Sequence, residues 1–559
     1  MTRVTLLDGA PGAGKTWTLR ERLSEAKADG LGVNRFWWLT FTRAGRKDAG
    51  PEISDVYTDT PPAKATDRAR TLHSLALSLV IRADLLDPKP SEVGPGPIIV
   101  PGGFGSAETD PFAAFCAARG MRYDPDAADP RKLLAGDETT AYTGNKLFAV
   151  NDFLRQTCKD PQDWRASPID IDIDGDRVIS LIQEWQEYKT NAWPYRLFEH
   201  GDYLDLCYHA GLTPDVDLLL IDEFQDFAPL EYRLFKSWRD SGAIDEILLA
   251  GDVNQSIYSF RGGTPHYIQN TPVDETISLK KSWRCPEEIA SVGNSLLSAH
   301  PKTDARGFAG REGGGRVNWR ALTDKYQLRD AVIESAESYI FADTPVMLLT
   351  RTNSQLRRLT KDLRHAGLPF EVLGSAGSVW RGKLKQIQEF LNMLDSGGST
   401  WKLSNVREVF EALPPHPDRK YWLYGSLGDV VTRSELMPAL EDLGSAFEIA
   451  RNLRVAKWKR DLLINTLKSP VSLKADELKV GTIHTSKGLE APSVFLFTTS
   501  SKQTVTDCDR NPKRAAEEHR VYYVGATRAS EELTLVSDYF EGPQAPPLVK
   551  LRRNQGLIA

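Results

Sequence analysis

Cysteine is scarce in this chain, and the little there is carries no pattern. Cys116, Cys158, Cys207, Cys285 and Cys508 stand far apart, without a CxxC pair or a histidine-rich spacing beside them. A zinc site or an iron-sulfur cluster needs closely spaced ligands, so neither is expected, and free thiols in a reducing compartment are. Long apolar runs are missing too: nothing reaches the roughly 18 consecutive apolar residues of a membrane span. The opening MTRVTLLDGAPGAGKT lacks an apolar leader core with a cleavage site, and Gly9 already belongs to a motif that must stay folded. The expectation is a cytoplasmic protein with no membrane partner. Net positive charge is also lacking, the balance being -6. Affinity for a polyanion must therefore come from a local basic track.

What is present reads as ordinary globular protein, with 41% hydrophobic and 26% charged residues in 559. At about 150 residues per domain the length suggests roughly three or four domains. A strand-like RVTLL precedes a Gly-rich turn, and TWTLRERLSEA follows with Leu19, Leu23 and Ala26 at helical spacing. Short apolar runs recur at RFWWLTF, VDLLLID, EILLAGD, PVMLLTR and PSVFLFT, separated by helical patterns such as PLEYRLFKSW and SQLRRLTKDLRHAG. Buried strands alternating with helices predict an α/β fold with parallel sheets covered on both faces. Two stretches break the rhythm: residues 85 to about 210, opening on a Gly/Pro-rich loop, and residues 378–478. Both read as mainly helical insertions.

The stretch Gly9–Thr16, GAPGAGKT, fits GxxxxGK[ST] after a strand and before a helix. Gly9, Ala10, Gly12, Ala13 and Gly14 let backbone N–H groups turn toward phosphate oxygens, Lys15 reaches the β and γ phosphates, and Thr16 offers a hydroxyl to Mg²⁺. In LLLIDEFQD the acids Asp222 and Glu223 end an apolar strand. Adjacent side chains there diverge, so Asp222 can hold the metal shell while Glu223 orients and deprotonates an attacking water.

The motifs that follow in order, TFTRAGRKDA, RTLHSLAL, IDEFQD, GDVNQSIYSFRGG, SWRCPEEI, LLTRTNSQ, TIHTSKGLE and HRVYYVGATRA, resemble those of UvrD/Rep-type superfamily 1 DNA helicases over nearly the whole chain. The resemblance implies two RecA-like P-loop domains that clamp ATP and Mg²⁺, with single-stranded DNA crossing above them. It divides the chain into 1A (1–84 and 211–278), insertion 1B (85–210), 2A (279–377 and 479–559) and a reduced insertion 2B (378–478). It implies that Arg284 and Arg528 reach the γ-phosphate and that Gln255 senses it. Trp283 would stack on adenine where the family has tyrosine, and Glu490 would hold the ribose. DNA would meet Phe41, Thr42, Arg43, Tyr258, Phe260 and Arg261, an aromatic and basic group suited to stacking bases. Thr71, His73, Arg351, Asn353, Thr482 and His484 match positions near DNA phosphates. Movement would run 3′ to 5′, on single strands and single-strand/duplex junctions, by a monomer or weak oligomer with or without a loading partner.

The departures from the family pattern have consequences. No glutamine stands among the eight residues before Gly9, so weak discrimination among nucleotides is expected. Trp17 replaces the arginine that often follows GKT, and either adds stacking or packs on its helix. The run RNLRVAKWKR, Arg451 to Arg460, either holds duplex phosphates or is a solvated helix face. No nuclease motif follows Arg528, so a fused nuclease is not expected. Two rival readings remain: an RNA-directed NTPase, and a DNA-binding or partner-docking subunit that uses nucleotide as a switch. Within LLAGDVNQSIYSFRGG, Asp252 and Gln255 fall on the nucleotide side and Tyr258, Phe260 and Arg261 on the DNA side, which makes this stretch the expected bridge between the two.

Overall fold

The computed structural model describes residues 2–41, 43–86, 95–99, 110–125, 142–191, 196–339, 341–374, 382–425, 428–441, 443–468 and 477–554. The chain packs as two compact units: residues 1–313 with 503–527 and 549–559, and residues 314–502 with 528–548.

The first unit is built on strands β1 (Arg3–Gly9), β2 (Phe36–Thr40), β3 (Ala69–Thr71), β4 (Leu218–Ile221), β5 (Glu246–Gly251) and β6 (Glu275–Leu279). They lie in the order β3-β2-β4-β5-β1-β6, all in parallel register. Side chains alternate between the faces of a strand, and each apolar run is divided accordingly. Leu6, Trp37, Leu39, Leu219, Ile221, Ile247 and Leu249 enter one core, whereas Leu7, Trp38, Leu218, Leu220, Leu248 and Ala250 enter the other. Helix α1 (Lys15–Ala28) adds Leu19 and Leu23 to the second core, as their helical spacing predicts. Leu72 and Leu75 of α2 (Leu72–Arg82) and Leu230 and Leu234 of α3 (Pro229–Asp240) close the first. The described residues of the region 85–210 are mainly helical around a separate aromatic core of Phe112, Phe115, Phe148 and Trp185.

Residues 279–313 belong to this first unit, not to the second as the boundary drawn at 279 supposes. The reason is local: β6 pairs with β1, and the residues just after β6 bond to the turn that follows β1. A long helix near the C-terminus, α4 (Pro512–Ala526), joins the same unit and is buried along Ala516–Ala526.

The second unit holds strands β7 (Arg316–Ala321), β8 (Val346–Thr350), β9 (Glu371–Val372), β10 (Leu478–Thr482), β11 (Ala491–Phe497) and β12 (Ala529–Ser537) in the order β7-β12-β11-β8-β10-β9, again all parallel. Between β9 and β10, helices pack around Phe390, Trp401, Val406, Phe410 and Ile449. The basic run 451–460 is split between two helices, Ala446–Asn452 and Lys457–Lys468. Arg460 turns back toward the carbonyls of Arg451 and Leu453, both at 3.4 Å, so the run does not form one continuous cationic face. Among the described residues no helix is long and apolar enough to cross a membrane. All five cysteines are free thiols.

Candidate functional site

The loop from Gly9 to Gly14 leaves the end of β1 and enters α1 through Gly14, whose left-handed backbone (φ 89°) turns the chain into the helix. Lys15 folds back over the loop, its Nζ donating to the carbonyls of Gly9 at 2.8 Å and Ala10 at 3.0 Å. The ammonium is thereby already drawn over the cradle that a phosphate group would occupy. The segment after β6 lies directly on this loop: Ser282 Oγ donates to Pro11 O at 2.7 Å and Trp283 N to Gly12 O at 2.8 Å. Gly12 has φ 65°, and a Cβ there would collide with the Cβ of Arg284. Arg284 is therefore seated against the loop because position 12 has no side chain. Two indoles flank the loop in the open, Trp17 at 60% and Trp283 at 66% exposure, with Lys281 Nζ 4.9 Å from the Trp283 ring.

The acidic pair follows β4. Thr16 Oγ1 donates to Asp222 Oδ2 at 3.3 Å, joining the helix end to the strand end. Glu223 takes a left-handed backbone (φ 59°), which costs a non-glycine residue about 1–3 kcal/mol. Its N–H donates to Asp222 Oδ1 at 2.9 Å, which ties the turn to the neighbouring carboxylate. Loss of hydration, then the neighbouring Glu223 charge, push the Asp222 carboxyl up to about 6, while Lys15 pulls it down. From Glu223 a chain of hydrogen bonds runs across to the next strand. Gln225 Nε2 donates to Glu223 Oε2, and Gln225 Oε1 accepts from Asp252 N at 3.1 Å. Gln255 Nε2 donates to Asp252 Oδ2 at 2.9 Å. Burial raises the Asp252 carboxyl, against the pull of Lys15.

A few residues beyond Gln255 an aromatic group forms. Phe41 and Tyr258 stack with centroids 5.4 Å apart, and Phe260 meets Tyr258 edge-on at 5.8 Å. The Arg261 guanidinium lies 5.4 Å from the Phe41 ring and within electrostatic reach of Asp152 and Glu231. Thr42 and the Arg43 side chain lie outside the described residues. Thr71 and His73 are engaged inside the unit. Thr71 caps α2 by accepting from Ser74 N, and His73 sits 3.4 Å from Glu231 with its ring edge-on to His200 and Tyr203. Burial pushes the His73 imidazole down to about 3, which keeps it neutral.

The remaining sequence-predicted residues lie in the second unit. Thr350 and Thr482 are register partners at the ends of β8 and β10, which brings Arg351 and Asn353 to the same end of the sheet as Thr482 and His484. Thr482 caps the turn that contains His484 by accepting from Thr485 N. Arg528 is 1% exposed and donates to Leu489 O at 3.1 Å. Glu490, the next residue after Leu489, is exposed.

Sequence reading passed over Gln225, Ser282 and the α4 residues Glu517, Arg520 and Tyr523. Glu517, Arg520 and Tyr523 leave a polar spacing of three within EEHRVYY, on a helix buried along Ala516–Ala526.

A phosphate loop, an acidic pair one strand away from its neighbour and a parallel six-stranded sheet define a RecA-like P-loop nucleotide hydrolase fold. Comparison with known proteins narrows the class. The AAA domain family matches residues 1–261, and the UvrD-like helicase C-terminal domain family matches residues 440–538. The chain is 25% identical to the ATP-dependent DNA helicase UvrD2 of Mycobacterium tuberculosis H37Rv over 588 aligned positions, covering 95% of this chain and 76% of that one. It is 23% identical to the ATP-dependent DNA helicase Rep of Escherichia coli K12, over 56% of this chain and 59% of that one. Together the two family matches and these relatives support a UvrD/Rep-type helicase.

Proposed function

We propose that this chain is an ATP-dependent single-stranded DNA translocase and helicase that moves 3′ to 5′. The observation that carries the reading is a single segment, residues 252–260. One end, Asp252 and Gln255, is bonded toward the phosphate-loop site, and the other, Tyr258 and Phe260, belongs to the aromatic group. Relatives named as ATP-dependent DNA helicases support the substrate class, and the family resemblance alone supports the polarity.

Lys15 would exchange its carbonyl partners for phosphate oxygens, and the loop N–H groups would complete the cradle. Glu223 would orient the attacking water and accept its proton. The Thr16 hydroxyl and Asp222 carboxylate are hard oxygen donors brought together at the helix and strand ends, a donor set that suits Mg²⁺. When bound there, Mg²⁺ would neutralise charge on the phosphate oxygens. Trp17 and Trp283 would stack the base, and Arg284, seated on the loop, would neutralise phosphate charge. Arg528 and Glu490 are carried as γ-phosphate and ribose contacts from the resemblance. Phe41, Tyr258 and Phe260 would stack DNA bases at about 1–3 kcal/mol each, near the roughly 0.6–2.2 kcal/mol of a duplex stacking step. Bases can then pass from one site to the next at little net cost. Arg351, Asn353, Thr482 and His484 are proposed to meet DNA phosphates, together with Thr71 and His73, which the internal bonds above hold in place.

ATP turnover measured alone, with single-stranded DNA and with single-stranded RNA tests the reading. Strong stimulation by DNA over RNA supports it; equal stimulation by RNA, or binding without turnover, overturns it in favour of an RNA-directed NTPase or a nucleotide switch.

A further inference from the structure

Helix α4 runs beside the 252–260 segment and touches it at regular intervals. Tyr523 Oη donates to Asp252 Oδ2 at 3.2 Å, Arg520 Nε donates to Ser256 O at 2.9 Å, and Glu517 Oε1 accepts from Ser259 Oγ. Residues three apart share one face of a helix, so a single face holds the segment at 252, 256 and 259. The order is reversed along the two chains, as it must be where a helix lies antiparallel to its partner. Arg514 braces the far end, its Nη1 2.7 Å from Glu517 Oε2 and 3.5 Å from Ser259 Oγ.

The two ends of this ladder have different chemistry. At the first, Asp252 Oδ2 accepts from both Tyr523 and Gln255, while Oδ1 accepts from Asn254 N at 2.9 Å. A carboxylate fixed by three donors in turn fixes the plane of the Gln255 amide. At the second, Ser259 opens the short helical turn Ser259–Arg261 that carries Phe260. The carboxylate that accepts from Ser259 is itself held by Arg514, so Glu517 pins that turn. Between them Arg520 is buried, and removal from water pulls its guanidinium below the ordinary value, so this donor's loss is poorly replaced by solvent.

We propose that the Glu517, Arg520 and Tyr523 face of α4 is a strut for coupling. In it Tyr523 positions Gln255 through Asp252 for hydrolysis, and Glu517 positions Phe260 through Ser259 for the response to DNA. The proposal rests on the reading that this chain is a DNA-stimulated ATPase, and makes these positioning residues rather than catalytic ones.

Full-length Tyr523→Phe, Ser259→Ala and Ser259→Thr test it, with kcat and KM for ATP measured with and without a saturating thymidine homopolymer. Tyr523→Phe keeps the ring and removes one hydroxyl; kcat is expected to fall about tenfold in both conditions, the order lost with one hydrogen bond to a charged group, with KM within about twofold. Ser259→Ala is expected to keep DNA-free turnover within about twofold and to lower the DNA-stimulated rate about fivefold; Ser259→Thr restores it. A merely structural role predicts a different pattern: both rates falling together in Ser259→Ala, a change confined to KM in Tyr523→Phe, or no rescue by threonine. Any of these, or wild-type turnover in Tyr523→Phe, overturns the strut while the ATPase reading stands. A wild-type chain without DNA-stimulated turnover overturns the ATPase reading and the strut with it.

Discussion

Trp283→Ala isolates the contribution of one exposed ring to nucleotide binding. The backbone of residue 283 is anchored independently, its N–H donating to Gly12 O at 2.8 Å, so the substitution removes the indole without releasing the segment from the phosphate loop. With Trp283 66% exposed, the folded state loses little packing, and the stability change is expected within about 0.5 kcal/mol. Stacking a base on an aromatic ring is worth about 1–3 kcal/mol, which weakens nucleotide binding by about 5- to 150-fold. Calorimetric titration with a non-hydrolysable ATP analogue reads this directly. Because any base has a π face, the same loss is expected for the GTP analogue, and wild-type GTP and CTP turnover should stay near that of ATP. Unchanged affinity in Trp283→Ala, or loss for one base alone, refutes the stacking role.

Gly12→Ala places a Cβ against Arg284 in a backbone conformation unfavourable for side chains; left-handed strain of about 1–2 kcal/mol should raise KM for ATP at least fivefold, read by steady-state turnover. Phe260→Ala should leave nucleotide affinity unchanged and impair unwinding, since the ring lies in the aromatic group and not at the phosphate loop; normal unwinding contradicts its placement in the DNA path. His519 gives a pH prediction. Burial holds its imidazole down to about 4, against about 6.5 in a free chain. Below pH 6.5 the unfolded chain takes up a proton that the folded one refuses, so this stability is complete above pH 6.5 and drains as the pH falls toward 4. The difference is on the order of 3 kcal/mol, and denaturant midpoints at pH 7.5 and pH 5 should differ more in the wild type than in His519→Gln.

The strands and the phosphate loop were legible because their causes are local. A strand buried on both faces must be apolar throughout, and RFWWLTF and LLLID announce this without reference to any partner. The same holds for the left-handed Gly14 before a helix and for the acids that end β4. The expected boundary at 279 does not coincide with that of the compact units, because the residues just after β6 bond Pro11 and Gly12, a contact that SWRCPEEI does not announce in sequence. Thr71 and His73 carry polar atoms that suit a phosphate, yet a helix cap and a neighbouring Glu231 engage them. Nothing in RTLHSLAL reveals the partner of His73, Glu231, which lies more than a hundred residues away. Tyr523 and Ser259 escaped for the same reason, their partners being 271 and 258 residues distant in the chain.

The central claim is that hydrolysis at the phosphate loop drives directed movement on DNA. It is tested most directly by unwinding of duplexes carrying either a 3′ or a 5′ single-stranded tail, with the wild type beside Glu223→Gln. The account predicts ATP-dependent separation of the 3′-tailed duplex by the wild type, little separation of the 5′-tailed one, and binding without unwinding by Glu223→Gln. Separation of only the 5′-tailed duplex contradicts the polarity, and unwinding by Glu223→Gln at the wild-type rate contradicts the claim itself.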